Sequence, residues 1–381
     1  MRINSRILLA GLLLLANHSL QAQPDVCNQG TALEGPCAVD HPKLRMNDLQ
    51  AVGSHNSYKQ AIPVPELALI AAYNEQSARS LDYSHLSLTT QLEMGMRQIE
   101  LDILYDPEGG RYADPLLPRQ AARSYGALPY DASAMHVPGF KVLHAQDIDV
   151  RSNCATWIRC LQEIKDWSDA NPSHVPILIM FNAKEGGSAY PGVQEALDFT
   201  VDAYRELDSE TLSVFPAARI IKPDDVRGDY ASLREAVLAG NWPTLESARG
   251  KVFFALDEGA EKVRRYMDGR QSLEGLPLFV NSIDESQDHA AYFTINNPGK
   301  DQQRIRSAVQ AGFLVRTRAD ANTLEARINN TERREAAFNS GAQYISTDYY
   351  VPRLDFSDYQ VRLPGDVAAR CNPVRLNELC D

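Results

Sequence analysis

The sequence predicts an α/β fold, a (β/α)8 TIM barrel built as a single domain with long loop insertions. Three observations point there. From Leu49 to about Pro352, strand-like apolar runs alternate with stretches of helical periodicity, as parallel strands joined by crossover helices require. The apolar runs number eight, one barrel's worth. The body of about 300 residues also suits one barrel carrying insertions.

Taken in order, the strand candidates are 49–54, 97–103, 140–144, 176–182, 251–256, 277–281, 312–317 and 342–347. The stretches 87–93, 154–169, 190–208, 233–239, 301–310 and 330–340 between them have the apolar spacing of amphipathic helices. Asn171-Pro172 stops the helix before the fourth strand, and Gly341 follows the helix before the last, where breakers and caps belong. Segments 105–139 and 211–249 exceed ordinary loop length and are expected to shape the rim of a site. The expected divisions are a signal peptide over 1–22, an arm over 23–48, the barrel over 49–352 and a tail over 353–381.

Arg2 and Arg6, the apolar run 7–16 and the ending Leu20-Gln21-Ala22 have the layout of a secretory signal peptide, too short to span a bilayer. Cleavage after Ala22 and a secreted or periplasmic location are expected. Behind such a signal, the close pairs Cys27/Cys37, Cys154/Cys160 and Cys371/Cys380 read as local disulfides. The formal net charge is −12 and becomes more negative once Arg2 and Arg6 are removed. A chain this acidic argues against nucleic acid as a partner and against bulk adsorption to an anionic membrane. An anionic substrate must then be held by local cations or by a metal. The sequence leaves the oligomeric state open.

The chemistry-bearing residues fall at the ends of the predicted strands. Ser54-His55-Asn56-Ser57 places four polar side chains directly after the first apolar run, which no core position needs. Glu100 and Asp102 alternate with Ile99, Leu101 and Ile103, so they share one strand face. Two carboxylates so close are costly to bury, and either a divalent cation or basic neighbours must answer them. His144 repeats the pattern of an imidazole following an apolar run, whereas His41, His85, His136, His174 and His289 sit in polar or proline-rich contexts that suggest solvated roles. After the fourth run, Asn182 and Lys184 share a face: the amide either joins a metal shell or caps, and the ammonium faces a phosphate. Glu185 turns inward only if the strand has already ended. Arg316, Arg318 and Asp320 share a face of the seventh run, suited either to gripping a phosphate and polyol or to an ion-pair network. Asp257 and Asp348 end two further runs. Imidazoles for acid–base work beside Asn, Glu and Asp oxygens, which suit Ca²⁺ or Mg²⁺, point to metal-assisted phosphodiester chemistry.

Ser54-His55-Asn56-Ser57-Tyr58, Arg97-x-x-Glu100-x-Asp102, His144, Asn182-x-Lys184 and the stretch from Val315-Arg316-Thr317-Arg318 to Ser346-Thr347-Asp348 together resemble the bacterial calcium-dependent, phosphatidylinositol-specific phospholipase C family. The likeness runs from about Gln50 to Asp348, and it places the chain in a barrel superfamily that includes glycerophosphodiester phosphodiesterases. The resemblance implies that His55 and His144 are an acid/base pair and that Asn56, Glu100, Asp102 and Asn182 are calcium ligands, with Glu185 available as a further one. From their places at the strand ends, Lys184, Arg316, Arg318 and Asp257 are expected to contact the substrate, which the resemblance makes an inositol phospholipid met during transient contact with a membrane surface. The expected products are diacylglycerol and an inositol phosphate, cyclic or linear. The chain departs from the family at Asn182, where relatives generally carry a glutamate. The shell thereby loses one negative charge, so weaker calcium binding is expected. A glycerophosphodiester phosphodiesterase and a non-catalytic polyol-binding barrel are the competing readings.

Overall fold

The computed structural model describes residues 32–35, 38–39, 41–126 and 130–375. The expected signal peptide, Cys27, Cys37 and Cys380 lie outside them. No helix among the described residues is long and apolar enough to cross a membrane.

The chain forms an α/β fold with two mixed five-stranded sheets. The strands are β1 (Leu49–Ser54), β2 (Gln98–Leu104), β3 (Lys141–Val142), β4 (Ile177–Ala183), β5 (Val252–Leu256), β6 (Phe279–Val280), β7 (Tyr292–Thr294), β8 (Leu314–Arg318), β9 (Tyr344–Thr347) and β10 (Ala369–Cys371). One sheet has the order β10-β1-β9-β8-β7 and the other β3-β2-β4-β5-β6. Every pairing among β1, β2 and β4 to β9 within these sheets is parallel; β3 and β10 pair antiparallel. The run Ile177-Leu-Ile-Met-Phe181 is buried throughout, as a strand covered on both faces requires.

The sheets meet along two seams. Arg97 N donates to Val52 O at 2.8 Å and Ser57 N to Glu100 O at 2.9 Å, joining β1 to β2. At the other seam Asn281 bridges to Tyr292, and Ser282 N donates to Tyr292 O at 2.9 Å. Gly53 belongs to the first seam: a Cβ there would stand 2.4 Å from the Gln98 carbonyl oxygen, so only glycine permits the approach. Gln98 then fills the gap, donating to Ser54 O at 3.1 Å while accepting from Ser346 Oγ at 2.6 Å.

Two strand assignments need correction. Segment 140–144, expected as the third parallel strand, contributes only Lys141–Val142, which runs antiparallel to the end of β2 with Val142 opposite Ile103. The lane on the other side of β2 is filled by β4, paired from Gln98–Leu178 to Ile103–Ala183, so no third parallel strand fits between them. The parallel strand unmarked in the sequence is β7, three residues that pair with β8. The tail also acquires order: Ala369–Cys371 pairs with β1, and Tyr359, Val361 and Leu363 are buried. In the arm, Glu34 pairs with buried Arg97 and accepts from Val175 N at 3.0 Å, fastening the arm to the start of β2. Cys154–Cys160 is a disulfide, as its spacing suggested; Cys371 is also disulfide-bonded.

Candidate active site

The end of β1 is built to present His55. Asn56 takes a left-handed conformation (φ 48°), tolerable for asparagine, and so turns the chain sharply after the strand. Ser57 locks that turn to β2: its Oγ accepts from Glu100 N at 2.8 Å. The His55 ring is held through Nδ1 by Asp348 Oδ1 at 2.9 Å, past the end of β9. Its Nε2 lies 3.2 Å from an Arg318 guanidinium nitrogen and 3.7 Å from Glu100 Oε1. Burial, then the positive charge of Arg318, push the imidazole well below its ordinary pKa of 6.5, so it is neutral at pH 7.

His144 is oriented in the same way. Its Nδ1 lies 3.0 Å from Asp149 Oδ2, and Lys59 Nζ, fully buried, lies 3.3 Å from the same oxygen. Burial alone would raise the Asp149 pKa, but Lys59 and His144 overcome it and hold this carboxyl below its usual range. The two imidazoles are near enough for their charges to interact. Each therefore has Nδ1 fixed by a buried carboxylate, and in His55 the other nitrogen meets Arg318; an imidazole oriented from behind in this way suits acid–base work.

Glu100 and Asp102 lie on one face of β2, both buried. Each has a basic partner. Arg316 donates to Glu100 Oε2, to Ser346 Oγ at 2.6 Å and to Asn296 Oδ1 at 2.6 Å. Lys184 Nζ stands 2.9 Å from Asp102 Oδ2. Asn182 stands opposite Asp102 in the β2–β4 ladder and donates through Nδ2 to the Asp257 carbonyl. Burial raises the pKa of the Asp257 carboxyl. No group of three or more His, Cys, Asp or Glu among the described residues is arranged to hold a metal. Yet Asn56 Oδ1 and both carboxylate oxygens of Asp102 are buried without hydrogen-bond partners of good geometry, hard oxygen donors beside the buried Tyr58 hydroxyl, whose pKa is raised by burial and then by the Asp102 charge.

Several expectations change. Glu185, expected as a metal ligand, faces away: it accepts from Arg265 at 2.6 Å and from Phe199 N at 2.6 Å. Strand β4 ends at Ala183, and the backbone then turns Glu185 outward toward the helix Ala260–Met267. Arg316, expected to grip substrate, is 1% exposed and committed to three side chains, whereas Arg318 reaches the site beside His55. His85 and His174, expected to be solvated, are buried; His85 Nε2 is 2.8 Å from His55 O and its ring stacks on Tyr350. Sequence reasoning missed Asp149 and Lys59 as the supports of His144. The run His144-Ala-Gln-Asp-Ile-Asp149 held a clue, because a turn there folds Asp149 back on the imidazole.

The buried histidines carry a pH prediction. Burial lowers His174 from 6.5 to about 4, and His85 likewise. Below pH 6.5 the unfolded chain takes up these protons before the folded one does, so this stabilisation is present above 6.5 and lost as pH falls toward 4. Asp320, raised to about 7, and Asp208, raised to about 6, act in the opposite direction, so the difference between proteins is the informative quantity. Relative to the parent, His174→Asn should lose less stability between pH 6.5 and 4 in denaturant titrations; parallel curves would contradict the assignment.

A cleft of about 230 Å³ lined by Tyr83, Leu86, Tyr350 and Val351 reaches Asp348 at the rim of the site. Two larger clefts, of about 490 and 570 Å³, lie around Trp242 and His289 and are lined by neither His55, His144, Glu100 nor Asp102.

Residues 44–373 match a family model described as "Phosphoinositide phospholipase C, Ca2+-dependent". Among solved structures, the calcium-dependent phosphoinositol-specific phospholipase C of a Pseudomonas species in its myoinositol complex is similar with a TM-score of 0.54 at 16% identity, over 89% of this chain and 99% of that one. A second apo crystal form of the Pseudomonas protein gives a TM-score of 0.55 at 17% identity, with 89% and 99% covered. At such identities these structures speak to the fold alone. A search of curated proteins gives no match.

Proposed function

Because this chain belongs to the calcium-dependent phosphoinositide phospholipase C family, a family of enzymes, we propose that it cleaves the phosphodiester of a phosphatidylinositol-type lipid into diacylglycerol and an inositol phosphate. The observation that carries this reading is the pair of imidazoles, His55 on Asp348 and His144 on Asp149, within electrostatic reach of each other. In this reading the eight parallel strands close into one barrel through the two seams, in a single domain over 49–352. The first 22 residues are an export signal, which makes the protein secreted or periplasmic.

His55, neutral at pH 7, accepts the proton of the inositol 2-hydroxyl at Nε2. That oxygen forms a new bond to phosphorus while the bond from phosphorus to the glycerol oxygen breaks. His144 returns a proton to the departing diacylglycerol oxygen, and water added by the reverse roles opens a cyclic product. Arg318 and Lys184 face the phosphate's charge, and Asp257, just after β5, meets a ring hydroxyl. The unpartnered oxygens of Asn56 and Asp102 fit a hard cation, which Glu100 and Asn182 would help hold. Calcium, when bound, would supply positive charge to the phosphate oxygens.

Membrane contact is assigned to a ridge on the loops after β8 and β9. Ile328 and Leu354 are largely exposed, as is Val64 after β1. The ridge is braced: Phe356 lies between the guanidiniums of Arg327 and Arg353, 3.8 and 4.0 Å from its ring centroid, and both arginines pair with Asp82. Val64 and Val137 lie in the apolar loop segments 61–69 and 127–137 and are also exposed; residues 127–129 lie outside the described ones.

Incubation with phosphatidylinositol vesicles should release inositol phosphate, seen by phosphorus NMR, and a calcium chelator should suppress it. Ile328→Asp with Leu354→Asp should slow vesicle turnover while sparing a short-chain monomeric substrate. Absence of any inositol phosphate, with turnover of deacylated glycerophosphodiesters instead, would replace this reading by the soluble-substrate one.

A further inference from the structure

We infer that Lys184 is a tethered cation that neutralises Asp102 in the ion-free site and is expelled from it when calcium binds. The inference rests on the calcium reading above and concerns the charge balance that reading leaves unexplained. Two carboxylates, Glu100 and Asp102, pair with two basic groups, Arg316 and Lys184, so these four side chains carry no net charge when both pairs are made. Asn56 and Asn182 supply oxygen without charge. A divalent ion is repelled by both basic groups while they stay in place, and gains most from these carboxylates if one basic group leaves.

The two pairs differ in whether they can open. Arg316 is 1% exposed and held by Glu100, Ser346 and Asn296; pulling it out would strand a buried guanidinium and a buried carboxylate. Lys184 is different. Its side chain is 36% exposed, its one ion pair among the described residues is with Asp102, and it stands just past the end of β4 on a flexible four-carbon stem. The backbone stays anchored by Lys184 N donating to Ile103 O at 2.8 Å, so only the ammonium need move. Both Asp102 oxygens are buried and neither makes a hydrogen bond of good geometry, so the ion pair with Lys184 leaves the carboxylate open to a cation ligand. Calcium and Lys184 therefore compete for one carboxylate. The ammonium released by the ion becomes free to meet an anion, so calcium and a phosphate ester should favour each other's binding.

Calorimetric titration of the protein with calcium chloride tests this. Lys184→Met should bind calcium about tenfold more tightly than the parent, and Lys184→Arg, which keeps the charge, should stay near parent affinity. Asp102→Asn should bind more weakly than the parent. Equal or weaker binding by Lys184→Met overturns the proposal. In the unsubstituted protein, the Lys184 ε-methylene NMR signals, identified by their loss in Lys184→Arg, should shift as calcium is added; signals that stay fixed while calorimetry records binding overturn it equally. If neither parent nor Lys184→Met takes up calcium, the competition falls together with the calcium reading. The vesicle assay then judges phosphodiester cleavage separately.

Discussion

Alanine at His55 or at His144 should reduce the turnover of phosphatidylinositol by about 10²–10⁴-fold, the range for losing a positioned acid or base, with little change in stability. Both rings are already held from behind: Asp348 and Asp149 fix the Nδ1 atoms, so each imidazole is poised for proton exchange at its other nitrogen. Both side chains also keep a partly open face, 17% and 23% exposed, so truncation leaves a wet notch in the site and no dry cavity. The double variant should be only slightly slower than the worse single one, since residues acting as a unit do not add. Rates on vesicles, with thermal unfolding in parallel, check this. Full activity in either single variant would remove that imidazole from the mechanism.

Arg316→Met should destabilise the fold by about 3–5 kcal/mol, the cost of stranding one partner of a buried ion pair. Arg316 lies inside the fold, and its three partners come from β2, β9 and the loop after β7. Methionine fills much of the volume but answers none of them, and Glu100 is left charged and buried. Adding Glu100→Gln should recover part of the loss, because a neutral amide costs less to bury than a carboxylate. Denaturant unfolding of parent, single and double variants measures the effect. A single variant within about 1 kcal/mol of the parent would show the pair to be worth no more than a surface one.

The position of Arg316 also shows where sequence reading stops. Its alternation with Val315 and Thr317 placed it on a common face with Arg318, and that much holds. The face alone does not say how deep each residue lies along the strand. Arg316, two residues earlier, meets Glu100 and Ser346 in the interior, while Arg318 at the strand end meets His55. Depth depends on the register between strands, set by the pairing Arg316–Tyr344 and Arg318–Ser346. The same limit applies to Glu185, whose direction follows from where β4 ends, and to His144, whose apolar run folds back along β2.

The sequence by itself determined the α/β alternation, most of the parallel strands and the residues able to do chemistry. Period-two and helical patterns are local properties, and a histidine or carboxylate at the end of an apolar run stands out without knowledge of its neighbours. Tertiary structure alone decided which of those residues meet. Asp348 behind His55, Arg316 on Glu100 and Lys184 on Asp102 are pairings between segments whose approach depends on strand order and register, and no spacing along the chain encodes them; Asp149 behind His144 is the local exception, made by a turn. The physical reason is range: backbone preference acts over a few residues, whereas a buried charge is answered by whatever the fold brings within about 4 Å of it.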